Sequence, residues 1–162
     1  LDVDFGKTAS DYATHRAGFS DSFFDRLRAD GLIIDGKVLI DLGTGTGTLA
    51  RGFARCGADV IGIDPSPEML AAARQAAQTE MLSIQFQEGS AEATGLPNGS
   101  ADIVSAGQCW HWFERPAAAA EISRILRPGG TLLIAHFDWI PLPGNVLAAT
   151  ERLIEKHNPN WH

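Results

Sequence analysis

The stretch Lys37-Val38-Leu39-Ile40-Asp41-Leu42-Gly43-Thr44-Gly45-Thr46-Gly47 constrains this chain most. Residues 37–42 are a short apolar run of the kind that forms a strand buried on both faces. Glycines placed directly after such a strand let the backbone turn tightly and let a ligand approach it closely. The helix predicted to follow, ending near Cys56, turns its N-terminal N–H groups toward that ligand. The spacing is G-x-G-x-G, whereas a dinucleotide fingerprint needs G-x-G-x-x-G. Counted from Gly43 the third glycine would fall on Thr48, and counted from Gly45 on Ala50. Asp41 beside the turn would repel a pyrophosphate and suits a cationic group.

Strand and helix signals then alternate. Residues 59–64 and 84–88 read as strands. Between them Ser66 is an N-cap with Pro67 at the first helical position, and the helix runs to about Gln78. After the turn-forming loop Gly95–Ser100, residues 101–106 form a fourth strand. Pro116 opens a helix through Leu126, Arg127-Pro128-Gly129-Gly130 stops it, and residues 131–137 form a fifth strand. This order predicts a doubly wound, Rossmann-like, mostly parallel α/β sheet with helices on both faces. Amphipathic helices flank it, one near Ser20–Ala29 and one near Asn145–Lys156, each with an apolar stripe read as core. In such a sheet Asp64, at the end of the second strand, is placed to accept both hydroxyls of a ribose.

At 162 residues the chain is one domain. Thirteen Lys and Arg against 20 Asp and Glu leave a charge of −7. That disfavours a phosphate-tracking nucleic-acid binder and adhesion to an anionic membrane. No apolar run approaches the roughly 20 residues of a membrane span, and no secretory leader is visible. The two cysteines, Cys56 and Cys109, make neither a disulfide framework nor a zinc cluster, and no other metal-ligand spacing occurs. A cytoplasmic protein is expected. The chain opens on Leu1 and stops at Trp161-His162, which reads as a piece of a longer protein.

The segments Asp41–Gly47, Gly62–Leu70 and Leu126–Gly130, in this order and spacing, resemble the class I S-adenosylmethionine (AdoMet)-dependent methyltransferases. The resemblance is to the small-molecule branch that includes ubiquinone/menaquinone and trans-aconitate methyltransferases, and covers residues 5–137. It implies methyl transfer from AdoMet to a small-molecule acceptor by in-line displacement, with S-adenosyl-L-homocysteine as product. Gly43, Gly45 and Gly47 would pass under the methionine part, Asp41 would sit near its ammonium, and Asp64 would hold the ribose. Pro65 and Met69 would flank the adenine. Where the family has Gly-Asp-Ala this chain has Gly89-Ser90-Ala91, so the adenine contact shifts to Ser90 and the Ala91 N–H. Phe5, Ala9, Tyr12 and Arg16 resemble the family's leader, with Tyr12 and Arg16 closing over the cofactor.

The loop Gly107-Gln108-Cys109-Trp110-His111-Trp112-Phe113 resembles the family's variable segment. Gln108 and His111 are the acceptor-side candidates, and Gln108 also borders the cofactor. His111 is a candidate base or, more readily, a structural or cofactor-contacting histidine; Trp110 and Trp112 are apolar walls, and Cys109 is not expected to act as a nucleophile. After the fifth strand, His136 or Asp138 is a candidate to face the acceptor, and Asp138 can equally cap the turn before Pro141. Glu121 with Arg124, and Glu151 and Glu155 with Arg152, read as solvated helix faces.

The whole chain, 1–162, is expected to be one AdoMet-binding domain. Residues 1–30 would be a helical leader or lid, 37–137 the cofactor core, and 138–162 the start of a substrate-side region. Relatives continue with further helices and an antiparallel strand pair, so C-terminal strands are expected to be missing from this chain. Two competing readings are an NAD(P)-dependent oxidoreductase and a non-catalytic AdoMet-binding module.

Overall fold

The computed structural model describes residues 18–32, 35–138 and 140–158. Five strands make one parallel sheet: β1 (Val38–Leu42), β2 (Asp59–Asp64), β3 (Ile84–Glu88), β4 (Ala101–Gly107) and β5 (Leu126–Ala135). Their spatial order is β3-β2-β1-β4-β5. The chain therefore winds outward one way from β1 and then reverses to β4. That reversal opens a crevice beyond the carboxyl ends of β1 and β4.

The central strand β1 is buried along Leu39–Leu42, as its unbroken apolar run requires. Alternate residues feed two cores. On one face Leu39, Val60 and Ile103 meet Phe24 and Leu27 of α1 (Asp21–Ala29) and Leu49, Ala50 and Phe53 of α2 (Thr48–Arg55). On the other face Ile40, Leu42 and Val104 meet Ala118, Ile122 and Ile125 of α4 (Arg115–Ile125). The helix α3 (Pro67–Thr79) lies along β2 and β3. Its N-cap is as expected: the Ser66 hydroxyl accepts from the Met69 N–H at 3.2 Å. Close packing of α1 on α2 depends on Gly52, where a Cβ would land on the Phe24 ring.

Three expectations need correction. The fourth helix stops at Ile125, and β5 begins at Leu126 rather than at Thr131. Leu126 pairs with Ala101, and a register shift before Ile103 takes up Pro128 and the left-handed Gly129. A proline is tolerated there because β5 is an edge strand. Arg127 fixes the irregular stretch by donating to the Gly99 carbonyl and to Asp102. The strand also ends at Ala135, so Phe137 lies in the loop beyond it.

Glu121 and Arg124 are not a solvated helix face. The Glu121 carboxylate, only 11% exposed, accepts from the Thr94 N–H, the Thr94 hydroxyl and Arg124. Arg124 also donates to the Asn98 side chain at 2.7 Å. These bonds pin the loop between β3 and β4 onto α4 and hold the Glu121 carboxyl down at about 2. Finally, α5 (Val146–His157) forms with the Asn145 cap in place, but its apolar stripe is not core. Val146 and Leu153 are exposed, and within α5 only Ala148 is buried.

The end of α3 carries a built-in cost. The Leu82 N–H donates to the Ala77 carbonyl and the Met81 N–H to the Gln78 carbonyl, a Schellman closure. The left-handed position falls on Met81, at φ 55°, with its side chain in water. Glycine is the residue that accepts this conformation without a Cβ clash. Met81→Gly is expected to stabilise the fold by about 0.5–1 kcal/mol, raising the melting temperature by about 1–4 °C. A lower melting temperature in a thermal scan would contradict this account of the cap. Among the described residues no helix is long and apolar enough to cross a membrane.

Candidate functional site

The cleft at the strand reversal is lined by the turn after β1 (Gly43, Gly45), the junction of β2 with α3 (Asp64, Pro65, Met69) and the end of β4 with the segment after it (Gly107, Gln108, Cys109, Trp112, Phe113). Three loops that are far apart in sequence thus converge because β2, β1 and β4 are neighbours and end at the same level. The register makes the level explicit: Leu42 pairs with Ile63 on one side and with Ala106 on the other.

Each glycine of the turn has a left-handed backbone, but for a different reason. At Gly43 a Cβ would come within 2.9 Å of the Cys109 sulfur, so packing of the β4 segment excludes a side chain. At Gly47 a Cβ would press on Ala73 and Phe86, so this residue serves the junction of α2, α3 and β3. It does not line the cleft. At Gly45 a Cβ would meet nothing within 4 Å. There the bare backbone faces open space, and only Gly45 has its left-handed turn combined with room for a ligand.

Asp64 joins the two halves of the site. One carboxylate oxygen accepts from the Gly45 N–H at 2.8 Å and the other from the Ser66 N–H at 2.9 Å. It therefore locks the turn after β1 to the start of α3. Each oxygen retains a further lone-pair site, so the group can still accept from a ligand. Burial raises its pKa, and the two N–H bonds oppose that rise.

Asp41 lies beneath the turn, outside the cleft lining, and is 1% exposed. Its oxygens accept from the Ser105 and Thr44 hydroxyls, each at 2.7 Å. Burial pushes its carboxyl up to about 6, against the pull of those two hydroxyls. The nearby Asp64 charge adds to the rise. Asp41 is thus a charge under the turn and the anchor of Thr44.

The remaining candidates are divided. Pro65 and Met69 line the cleft, Met69 with its side chain buried. Ser90 and Ala91 stand just past β3 and are outside the lining, with Ala91 packed into the α4 core. Gln108 lines the cleft. Trp112 lines it too while remaining 58% exposed, whereas Trp110 turns inward onto Phe113. His111 and His136 are both exposed and outside the cleft lining, with ring centres 6.1 Å apart. Asp138 is exposed in the same loop as His136. The Cys109 thiol donates to the Leu42 carbonyl at 3.2 Å. Tyr12 and Arg16 lie outside the described residues. No group of three or more metal-ligating side chains occurs among the described residues.

Phe19 was not anticipated. Its ring packs 4.5 Å from Phe137, and a Cβ on Gly107 would meet it at 3.3 Å. It seats the segment before α1 against the ends of β4 and β5. Only its place just before an amphipathic helix hinted at such a contact.

Residues 40–134, from the first strand to the end of the fifth, match the family model described as a methyltransferase domain. The chain belongs to the class I AdoMet-dependent methyltransferases. This methyltransferase domain is 34% identical over 132 residues to an uncharacterized methyltransferase of Mycobacterium tuberculosis, covering 82% of this chain and 51% of that one. It is 38% identical over 104 residues to the demethylmenaquinone methyltransferase of Thermus thermophilus, covering 62% and 47% respectively. Among solved structures, a candidate S-adenosyl-L-methionine-dependent methyltransferase of Methanococcus maripaludis superposes with a TM-score of 0.70. At 22% identity, over 99% of this chain and 76% of that one, it shows the shared fold. The chain spans about half the length of the curated relatives it matches.

The residues present fit the cofactor that this family uses. The open face at Gly45 accepts a closely approaching ligand, and Asp64 keeps acceptor sites for a diol. Both acids near the turn favour a cation over a pyrophosphate.

Proposed function

We propose that this chain is the AdoMet-binding domain of a cytoplasmic enzyme that methylates a small molecule. Its core would be residues 37–137, with residues 1–30 as a leader and 138–162 opening a substrate-side region. The observation that carries this reading is Asp64 bridging Gly45 and Ser66 at the edge of an open cleft. A carboxylate held rigidly by two backbone N–H groups is preorganised to accept two ribose hydroxyls without further ordering.

Bound AdoMet supplies an activated methyl on a sulfonium, so the protein's task is mainly alignment, which can provide about 7–11 kcal/mol. Gly43 and Gly45 give the ligand a close floor. Asp41 lends negative charge from below, suited to the ammonium and the sulfonium. Pro65 and Met69 flank the adenine. Ser90 and the Ala91 N–H border its edge, because Glu88 pairs with Asp64 and the chain beyond β3 continues at that level. Tyr12 and Arg16, in the leader, complete the enclosure. Trp112 offers an apolar wall to the acceptor, and no covalent enzyme intermediate is required of Cys109. No nucleic-acid substrate is expected at a chain charge of −7. The named relative that acts on demethylmenaquinone supports a small-molecule acceptor.

Where the acceptor loses a proton, His111 is the base and His136, with its ring centre 6.1 Å away, is its neighbour. A screen of metabolites with methyl-labelled AdoMet tests the function as a whole. With an acceptor in hand, His111→Gln is expected to lower the turnover number at least 100-fold while AdoMet affinity stays within about twofold. Equal turnover in the two proteins would remove His111 from the chemistry.

A further inference from the structure

The motif Leu126-Arg127-Pro128-Gly129-Gly130 takes no part in the cofactor cleft. It lies at the opposite end of the sheet, where β1, β4 and β5 begin. A cavity of about 240 Å³ opens there, its lining including Gly31, Lys37, Asp102, Arg127, Gly129 and Gly130. The length of β1 separates it from the glycine turn by roughly 15 Å. The volume is below the ~300–1,000 Å³ of a drug-sized ligand site, so it suits a group of a few atoms.

The charge in this cavity is unbalanced. Lys37 and Arg127 both face Asp102, two cations to one carboxylate. Arg127 donates from Nη1 to Asp102 at 2.6 Å and from Nε to the Gly99 carbonyl at 3.2 Å. Asp102 also accepts from the Val38 N–H at 2.9 Å. The Lys37 Nζ stays 3.7 Å from the carboxylate, beyond hydrogen-bond length. Among the described residues, neither the Lys37 ammonium nor Nη2 of Arg127 has a hydrogen-bond partner. The side chains of Lys37 and Arg127 are 41% and 43% exposed and that of Asp102 is 19% exposed. An arriving ligand therefore meets the cations before the carboxylate. At Gly31 and Gly129 a Cβ would meet nothing within 4 Å, so bare backbone faces open space beside them.

We propose that this cavity binds a phosphate group between Nη2 of Arg127 and Nζ of Lys37. Arg127 offers a planar edge and Lys37 a compact point charge, brought together from β5 and from the start of β1. The two oxygens of a carboxylate are taken up by one such edge, whereas a phosphate keeps oxygens for the second cation. Asp102 holds Arg127 in place, and its charge limits the affinity. The site does not rest on the AdoMet reading of the cleft, and AdoMet carries no phosphate to compete for it.

Calorimetry of the purified chain with inorganic phosphate, glycerol 3-phosphate and acetate, at constant ionic strength, tests the proposal. Inorganic phosphate is expected to bind saturably with a dissociation constant of about 1 mM or lower, and acetate about tenfold more weakly. Tighter binding of the ester would mark a phosphorylated metabolite as the natural source, and tighter binding of inorganic phosphate the free ion. Lys37→Gln is expected to lose about tenfold in phosphate affinity. Its fold should hold, because an exposed ion pair adds little stability. Asp102→Asn removes the repelling charge, and its amide oxygen can keep the Val38 bond. It is expected to bind phosphate at least about threefold more tightly, a gain that a purely structural cluster would not show. The proposal is overturned by a parent chain that shows no saturable phosphate binding, or that binds acetate as tightly. Unchanged phosphate affinity in both variants would overturn it too. So would loss of phosphate binding on saturation with S-adenosylhomocysteine, which would move the phosphate to the cleft.

Discussion

Asp64→Ala is expected to weaken S-adenosylhomocysteine binding by about 100-fold or more. The figure follows from two losses. A charge-assisted hydrogen bond contributes roughly 1.5–3 kcal/mol, and each 1.4 kcal/mol is tenfold in affinity. The carboxylate offers two acceptor sites to the ribose, so losing it alone accounts for about two decades. The same substitution also strips the Gly45 and Ser66 N–H groups of their partner and frees the turn from α3. Asp64→Asn separates these effects, since an amide oxygen can keep one of the two backbone bonds. It is expected to fall between the parent and the alanine variant. An alanine variant that binds as tightly as the parent would remove Asp64 from the site.

The second large effect concerns Asp41 and pH. Burial raises its folded-state pKa to about 6, from an unfolded value near 3.8. A carboxyl whose pKa is higher when folded favours the native state in its protonated form. Its contribution is fully present below about pH 4 and is lost as the pH rises through about 6. The loss amounts to on the order of 3 kcal/mol in the ligand-free protein. Asp41→Asn keeps a group of the same shape between Ser105 and Thr44 without the charge. It is expected to melt higher than the parent at pH 8 and to lose the parent's decline between pH 4 and pH 7. It is also expected to bind cationic AdoMet more weakly, because the negative charge beneath the turn is gone. Matching pH–melting profiles for the two proteins would refute this assignment. Glu121 works at the opposite end. Its depressed pKa makes its contribution complete above about pH 4.5 and lost as the pH falls toward about 2.

How much of this could be read in the sequence depended on how local each signal was. The strand Val38–Leu42 and the cap at Ser66 announce themselves within a few residues, and both stand as expected. The parallel order followed from alternation alone. Asp64 was legible because a strand end next to a helix cap fixes its place. By contrast, Glu121 looked like half of an ordinary surface pair at i and i+3. Besides Arg124 it has a second partner, Thr94, which is 27 residues away and has no sequence mark. The start of β5 was hidden by Pro128 and Gly129, which usually end an element and here form an irregularity on an edge strand. Asp41 adjoins the turn in sequence, but its depth was not visible, since its buried partner Ser105 is on a strand 64 residues on. The apolar stripe of α5 shows the reverse problem. Val146 and Leu153 mark a face that wants cover, yet they are exposed here. A pattern of this kind predicts amphipathicity, not what supplies the other side.

The most direct test is a calorimetric titration of the purified chain with S-adenosylhomocysteine, with NAD⁺ run in parallel. The glycine spacing, the open face at Gly45 and the acids at positions 41 and 64 together predict micromolar binding of S-adenosylhomocysteine and none of NAD⁺. Binding of NAD⁺ alone would contradict the reading of the cleft and move the chain to hydride chemistry.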